Sequence, residues 1–559
     1  MIKKILSSQS NSITGAAVVL GLASFVSRLI GIVRDRLFAH HFGAGDVLDA
    51  YYAAFRIPDL VYNLIIVGAL SAGFIPIFLK ILNPDSHRGE GSFEEDKNGK
   101  TSTEETRKKL AWQVTNSVIN ILGIILILTC GLLFIFTPQL MKFVVPGFEA
   151  DKMQMTITLT RIMFLSPILL GISGIASSVL QSFKNFLIYS LTPIMYNLGI
   201  IIGVIFFVPI WGINGLAYGV ILGALLHLAI QIPSLYHHGF KYQALFLWKN
   251  KHVREIGKLM IPRTLGMAVS QINLLVITIL ASTLTAGSIA IFNLANNLQY
   301  FPIGLIGISF AIATFPTLAK FVAENNRQEM ISQLSSTIRQ ILFFIIPITI
   351  LFLLLRAQIV RVVLGSGEFD WSDTILTANT LAFFSFSLFA QCLIPLLARA
   401  FYALCDTWTP FFVGIVSTIV NVIAALYFRQ ILGISGLALG FSIAMIVQMS
   451  LLWLLLRKQL GTLYESKILI SLYKISTASV VMAILIQALK IPLANLVNMT
   501  KFWGILTQGF VAGIVGLLVY LFICWFLKLE EMEHFLGSLK RRWLKLTNVQ
   551  GEIDGADEI

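Results

Sequence analysis

Arginines and aspartates interrupt a stretch that otherwise reads as lipid-compatible. From Ser24 to Lys80 the chain runs SFVSRLIGIVRDRLFAHHFGAGDVLDAYYAAFRIPDLVYNLIIVGALSAGFIPIFLK, broken by Arg28, Arg34, Asp35, Arg36, Asp49, Arg56 and Asp59. A guanidinium offers a planar fork of N–H donors that grips carboxylate or phosphate oxygens two at a time. Each such charge at hydrocarbon depth costs about 3 kcal/mol on insertion scales, so it faces a bundle interior or a watery cavity. Arg28 and Arg34 are six residues apart, about 9 Å along a helix and well separated in azimuth, with Gly31 between them as a place to bend. Two chemistries are open to this set: holding an anion, or pairing internally. Asp49 and Arg56, seven apart on one face, can neutralise local charge, while Arg36, His40 and His41 sit where snorkelling to the interface is the expected role.

Elsewhere polar candidates are sparse. Arg263, in IPRTLG (261–266), is a basic residue at a helix mouth, open to substrate contact or interfacial anchoring. Asn293, Asn296, Asn297 and Gln299 make one apolar segment polar without charge, for hydrogen bonds across helices or for a sugar. Asp406, in FYALCDTWTP, reads as a cap or turn residue, with a monovalent cation site as the alternative. No phosphate-cradling glycine loop, HExxH or nucleophile elbow occurs, so the chain is not expected to be an enzyme. Cys130, Cys392, Cys405 and Cys524 lie in or beside apolar segments without paired spacing. They read as buried thiols, not a disulfide framework or zinc site.

The elements that position these residues are membrane spans. The chain has 559 residues, 57% hydrophobic and 12% charged, against about 25% charged in soluble domains. The net charge of +13 fits basic cytoplasmic loops and does not require nucleic acid. Leu110–Met141, Asn185–Phe240 and Thr264–Ala319 are free of Asp, Glu, Lys and Arg, and the last two are each long enough for two helices. Fourteen spans are expected: 14–38, 48–80, 110–137, 155–181, 186–208, 214–236, 259–283, 287–320, 331–356, 374–403, 410–430, 434–457, 469–489 and 503–527. The N-terminus is read as an uncleaved first span. With both termini on one side, about 26 Lys/Arg fall there and about 7 opposite, which makes the terminal side cytoplasmic. Residues 81–109 form a polar loop read as flexible and solvated, or as a partner-docking segment. Residues 239–260 suit an interfacial helix, and KRRWLK (540–545) suits a membrane-surface patch.

The chain repeats itself. Residues 49–80 align without gaps onto 289–320, matching Pro76 to Pro316 and Lys80 to Lys320 at an offset of 240. SLTP (190–193) and GINGLAYG (212–219) parallel TWTP (407–410) and GISGLALG (433–440), at offsets of 217 and 221. A six-span repeat is even-numbered, so two like-oriented lobes with a cavity between them are expected. The expected organisation is an all-α polytopic membrane protein: an N-lobe over 14–236, an amphipathic cytoplasmic linker at 237–257, and a C-lobe over 258–458. Two extra C-terminal helices at 468–528 and a cytoplasmic tail at 529–559 complete it. Arg56 aligns with Asn296 and Asp49 with Ile289, so the repeat shares its backbone but not its charge.

SRLIGIVRD (27–35), FGAG (42–45), DAYYAAFRIP (49–58), GALSAGFIP (68–76), GINGLAYGVILGAL (212–225) and RAFYALCDTWTP (399–410) resemble the MurJ/MviN lipid II flippases. The likeness runs over nearly the whole chain. It implies a carrier that moves undecaprenyl-diphosphate-linked peptidoglycan precursor outward across the bacterial inner membrane by alternating access. Such a carrier is driven by membrane potential or by a Na+ or H+ gradient. On the same resemblance Arg28, Arg34, Asp35 and Asp49 match cavity or gate residues, and the last two spans form a groove for the lipid tail. Two family arginines are replaced, by Tyr62 and Asn297, so the site is expected to be less basic, with Arg56 and Arg263 as candidates to compensate. Some members carry a C-lobe cation site, for which Asp406 is the candidate. The partners implied are lipid II and membrane lipids, with no nucleic acid and a monomeric chain. The competing expectations are a flippase for another polyprenyl-linked glycan, a multidrug exporter, which would need acidic residues in place of these arginines, and a membrane scaffold docking through 81–109.

Overall fold

The computed structural model describes residues 13–67, 73–82, 104–533 and 535–537, with the side chains of 13–20, 261–263, 265 and 266 outside the described set. Every regular element among them is helical. In chain order they are α1 (Ile13–Phe42), α2 (Asp46–Ala54), α3 (Arg56–Tyr62), α4 (Ile75–Leu82), α5 (Glu104–Ile135) and α6 (Thr137–Val144). Then come α7 (Ala150–Ser182), α8 (Phe186–Trp211), α9 (Asn214–His237), α10 (Lys251–Ser282), α11 (Ser288–Ala323), α12 (Arg327–Leu354) and α13 (Arg356–Val363). The last are α14 (Trp371–Ser385), α15 (Leu388–Ala403), α16 (Trp408–Leu432), α17 (Ile434–Leu460), α18 (Glu465–Leu496) and α19 (Phe502–Phe526).

Only helices satisfy every backbone group within one segment, and that is what a chain in lipid requires. Ten of the described helices are long and apolar enough to cross a membrane, or eleven when α14 and α15, bent by 45°, count as one span. The protein is therefore a multi-pass membrane protein. The expected count of fourteen is higher because α1, the α2–α4 stretch and α10 carry charges or run through residues outside the described set.

By packing, the chain divides into Met1–Asn293 with Ser366–Asp373, and Leu294–Gly365 with Thr374–Ile559. In the first unit α7, α8 and α9 pack together and α1 lies along α8. In the second, Phe343, Ile345, Leu396, Phe401, Leu452, Met482 and Ile486 form a core drawn from α12, α15, α17 and α18. There the Tyr520 hydroxyl donates to the Phe343 carbonyl at 2.7 Å, and Arg339 holds Glu530 and Glu531 at 2.7 Å each.

The repeat has a backbone signature. A π turn at Asn63–Val67 follows α3, and another at Ile303–Ile308 falls within α11, where the 240-residue offset places it. Gly212 and Gly433, 221 apart, both take positive φ (58° and 57°) at the tight turn opening the next helix, a conformation open to glycine without steric cost.

Three local expectations change. Residues 240–250 are irregular instead of helical, with a turn at 248–249, and α10 starts only at Lys251. Asn116 and Asn120, one turn apart on α5, hold the strap: Asn116 Nδ2 donates to the Lys241 carbonyl and Asn120 Nδ2 to those of Gln243 and Leu245, each at 2.9 Å. These side chains replace the backbone partners a helix would have supplied. Second, α5 begins at Glu104 inside the expected loop, with Glu104 and Glu105 in the first turn, where carboxylates favour the helix dipole; residues 83–103 lie outside the described set. Third, Cys405 is exposed, because it sits in the left-handed turn (φ 61°) after α15, while Cys130, Cys392 and Cys524 are buried. KRRWLK lies outside the described residues.

Candidate functional site

The charged side chains of the first unit form two partnered groups. On α1, Arg34 Nε and Nη2 both donate to Asp35 Oδ1, at 3.0 and 2.8 Å, and Nη1 donates to Asn197 Oδ1 on α8 at 3.0 Å. Asn197 in turn donates to the Pro193 carbonyl one turn back, at 3.0 Å. Asp35 is 6% exposed. The guanidinium also lies 5.9 Å from the Phe38 ring centroid. Three of its five N–H groups are thereby committed.

Aromatic hydroxyls surround this pair. Tyr51 packs edge-on against Phe38, with ring centroids 4.9 Å apart, and against Phe55 at 5.0 Å. Tyr52 lies within electrostatic reach of Arg34, Asp35 and Arg56, and its hydroxyl is buried without a hydrogen-bond partner among the described residues. Tyr196 hydrogen-bonds Ser166 and reaches Arg34, Asp59 and Tyr62 electrostatically. At the start of α3, Arg56 Nη2 donates to Asn293 Oδ1 at 2.8 Å, while its Nε is buried and unbonded. Asp59 stands one turn further along α3, close enough to act on Arg56. Arg34, Asp35, Arg56, Asp59 and three tyrosines thus form one polar cluster inside an apolar helical unit.

The second group is organised by Asp49, 2% exposed. Lys152 Nζ bonds its Oδ2 at 2.7 Å and Asp46 Oδ1 at 2.6 Å, and lies 4.2 Å from the Phe148 ring. Asp49 also accepts from the Gly287 and Ala290 amides, at 2.7 and 2.8 Å, around the first turn of α11. A carboxylate there satisfies orphan donors and faces the positive end of the helix dipole. Asp49 is a fully partnered clasp and does not join the Arg34 cluster.

Arg28 is half-buried on α1, and Arg36 is half-buried, with His40 and His41 exposed at the end of the helix. Arg263 lies on α10, and its side chain is outside the described residues. Tyr62 is half-buried and faces the Asp59 side of the cluster. Asn297 is half-buried in the second unit, beside a neutral chain. In that chain Gln299 donates to Asn296 at 2.9 Å, and Gln391 donates to Gln299 and Ser387 at 2.9 Å each. Asp406 caps α16: Oδ1 accepts the Trp408 and Thr409 amides at 3.0 and 2.9 Å, and Oδ2 accepts the Thr409 hydroxyl at 2.6 Å. Burial pushes that carboxyl up, but the bonds from Thr409 and Trp408 outweigh it and hold it below the usual range. Among the described residues no three His, Cys, Asp or Glu side chains group as a metal site.

The residues the sequence did not single out are Tyr52, Ser166, Tyr196 and Asn197. Their signal is polarity inside uncharged runs: Tyr196 and Asn197 stand between Asn185 and Phe240, where no Asp, Glu, Lys or Arg occurs.

Ten or eleven helices long and apolar enough to cross a membrane, with a polar cluster buried inside one unit, define a multi-pass membrane protein. The family model described as lipid II flippase MurJ matches residues 38–507, and the chain belongs to that family, one of transporters and not of enzymes. It is 28% identical over 527 residues to the probable lipid II flippase MurJ of Buchnera aphidicola subsp. Acyrthosiphon pisum (strain APS), covering 93% of this chain and 98% of that one. The lipid II flippase MurJ of Burkholderia cenocepacia is 28% identical over 444 residues, 78% and 82% of the two chains. A solved lipid II flippase MurJ in an inward closed conformation matches with a TM-score of 0.72 at 26% identity, covering 90% of this chain and 98% of that one. An inward-facing multidrug resistance MATE family transporter of the MOP superfamily shares the fold, with a TM-score of 0.65 at 15% identity, covering 80% and 99%.

Proposed function

We propose that the protein flips lipid II, the undecaprenyl-diphosphate-linked peptidoglycan precursor, from the inner to the outer leaflet of the bacterial inner membrane by alternating access. The observation that carries this reading is the Arg34 guanidinium, fixed by Asp35 and Asn197 with N–H groups left over. Pairing with Asp35 lets an arginine reside in the membrane without the full cost of a lone charge. A diphosphate presents several oxygens to the remaining donors and to Arg56, whose Nε is unbonded. Arg28, on the same helix, extends the cationic track. Arg263 and Asn297 are the further candidates for substrate contact that the sequence offers, and the tyrosine hydroxyls serve the phosphates or the first sugar. Asp49 acts as a gate residue, because its three partners join α2, α7 and the start of α11.

In this reading α1, the α2–α4 stretch and α10 are spans as well, which makes fourteen, with both termini cytoplasmic and two like-oriented six-helix lobes. The paired π turns and paired Gly212/Gly433 turns support that repeat. A cavity of about 810 Å³ in the second unit, lined by Leu342, Ile346, Phe389, Trp453, Ile468 and Leu472, supports an apolar path for the polyprenyl tail beside α18. For Asp406 the cap geometry favours a structural role over a cation site.

The test is lipid II flipping in cells, beside complementation of a flippase-depleted bacterium. Growth and flipping restored by the wild-type chain and lost in Arg34→Ala are expected. Undiminished flipping by the combined Arg28→Ala, Arg34→Ala variant would remove the site assignment. Restored O-antigen export without lipid II flipping would assign another glycan.

A further inference from the structure

We propose that His227 is a proton-binding site of the first unit, through which a pH difference acts on the transport cycle; this rests on the carrier reading above. His227 lies on α9 within Asn185–Phe240, a stretch without Asp, Glu, Lys or Arg. A side chain that titrates near neutrality, held inside a membrane span, is where a carrier can take up a proton.

The imidazole belongs to a network between α7 and α9. Its Nδ1 is 2.6 Å from Ser173 Oγ, Gln231 Nε2 donates to Ser173 Oγ at 2.6 Å, and Ser177 donates to Gln231 Oε1 at 2.9 Å. Gln231 and Ser173 are fully buried, whereas His227 is half-buried and its Nε2 has no partner among the described residues. Donor counting fixes the resting form. Gln231 Nε2 shares its two N–H groups among Ser173 Oγ, the Ser173 carbonyl at 3.3 Å and the His227 carbonyl at 2.9 Å, and Nδ1 is the one described acceptor for the Ser173 hydroxyl, so the hydroxyl donates to Nδ1 and the imidazole is neutral. Imidazolium carries N–H on both nitrogens. Once a proton is bound, Nδ1 must donate, Ser173 must accept twice, and the seryl proton loses its acceptor. Protonation therefore reverses the bond between α9 and α7, sets a charge against Ser173 and leaves the seryl O–H without an acceptor, and no covalent bond changes.

The elements packed on α9 carry few groups that could substitute. On α7 these are Asp151, Lys152 and Arg161, on α8 Tyr189 and Tyr196, and on α9 itself Tyr218, Tyr236 and His237. Lys152 is committed to Asp46 and Asp49, Arg161 lies over the Phe134 ring, and Tyr196 bonds Ser166. None is bonded to the imidazole. The 221-residue offset places Gln448 at the equivalent position of the second half, an amide that cannot titrate. The two halves thus differ here in the ability to bind a proton.

The experiment uses the full chain. With 15N-labelled histidine in detergent, the His227 resonance, absent from His227→Gln, should show a single proton-binding step. Ser173→Ala, which removes the donor to the neutral form, should move that midpoint up by about half a pH unit or more. In vesicles, wild-type lipid II flipping should change several-fold under an imposed pH difference, and His227→Gln should flip at a rate that ignores it. Two results would overturn the proposal: a His227→Gln protein as pH-sensitive as wild type, or a midpoint unmoved in Ser173→Ala. Should His227→Gln fail to fold, the Ser173→Ala shift still decides. A wild-type chain that titrates as described but never flips lipid II would sink the substrate reading and leave the proton site standing.

Discussion

The buried polar groups of the two units are built from different chemistry. The first holds Arg34 against Asp35 and Asn197, with Arg56, Asp59 and tyrosine hydroxyls around them. The second holds amides and hydroxyls: Asn296, Gln299, Gln391 and Ser387, continued by the Ser387–Ser442 contact at 2.9 Å. Both sets sit in helices that share a repeated backbone, so the fold does not call for the charges. A neutral chain is enough to fix helices against each other in lipid, at about 0.6 kcal/mol per bond. Ion pairs are costlier to bury and have a use that amides lack, since they can exchange an internal carboxylate for an external phosphate.

That contrast can be broken, and the largest effect is expected on the charged side. Arg28→Ala with Arg34→Ala should abolish complementation and lower lipid II flipping at least a hundredfold, while leaving the protein folded by circular dichroism. If flipping stayed within twofold, the charged cluster would be packing and nothing more. Next comes Asp49→Ala, which leaves two helix amides unbonded and Lys152 with Asp46 alone; breaking a buried pair costs about 3 kcal/mol, read as a lower Tm in detergent. Asp406→Ala should cost about 1 kcal/mol as a lost helix cap, without altering any sodium dependence of transport. Its carboxyl lies below the usual range when folded, so its contribution is present above the ordinary carboxylate value and is lost as pH falls through the folded one. Acid titration of Tm should therefore flatten in Asp406→Ala only below about pH 4. The smallest effect belongs to the neutral side: Gln391→Leu should lower stability by about 0.6 kcal/mol and leave flipping within about twofold. A flipping loss there as large as at Arg34 would erase the distinction between the units.

Apolar runs of span length and the paired motifs were plain in the sequence, as were Arg34 and Asp35. What stayed hidden depends on contacts distant in the chain. Asp49 looked like a possible partner of Arg56 seven residues on, because helical spacing puts them on one face. In the folded protein Lys152 and the Gly287 and Ala290 amides reach it first, from segments more than 100 residues away. Asn197 became a ligand of Arg34 only when α8 was laid beside α1. The strap at 240–250 reads as amphipathic by composition. Its non-helical path is held by Asn116 and Asn120 on α5, which no local pattern in the strap reports.

The two π turns carry a consequence for how insertions and deletions are tolerated. A π turn is an α-helix with one residue too many, so deleting one residue from Ile303–Ile308 would restore a regular helix without breaking the span. Because the wide turn absorbs the extra residue, the segment after it, Thr314 and Pro316 included, would keep its facing, whereas the same deletion in a regular stretch of α11 would turn it by about 100°. The same arithmetic applies at Asn63–Val67. Single-residue deletions should therefore be better tolerated at these two sites than in the regular turns on either side of them.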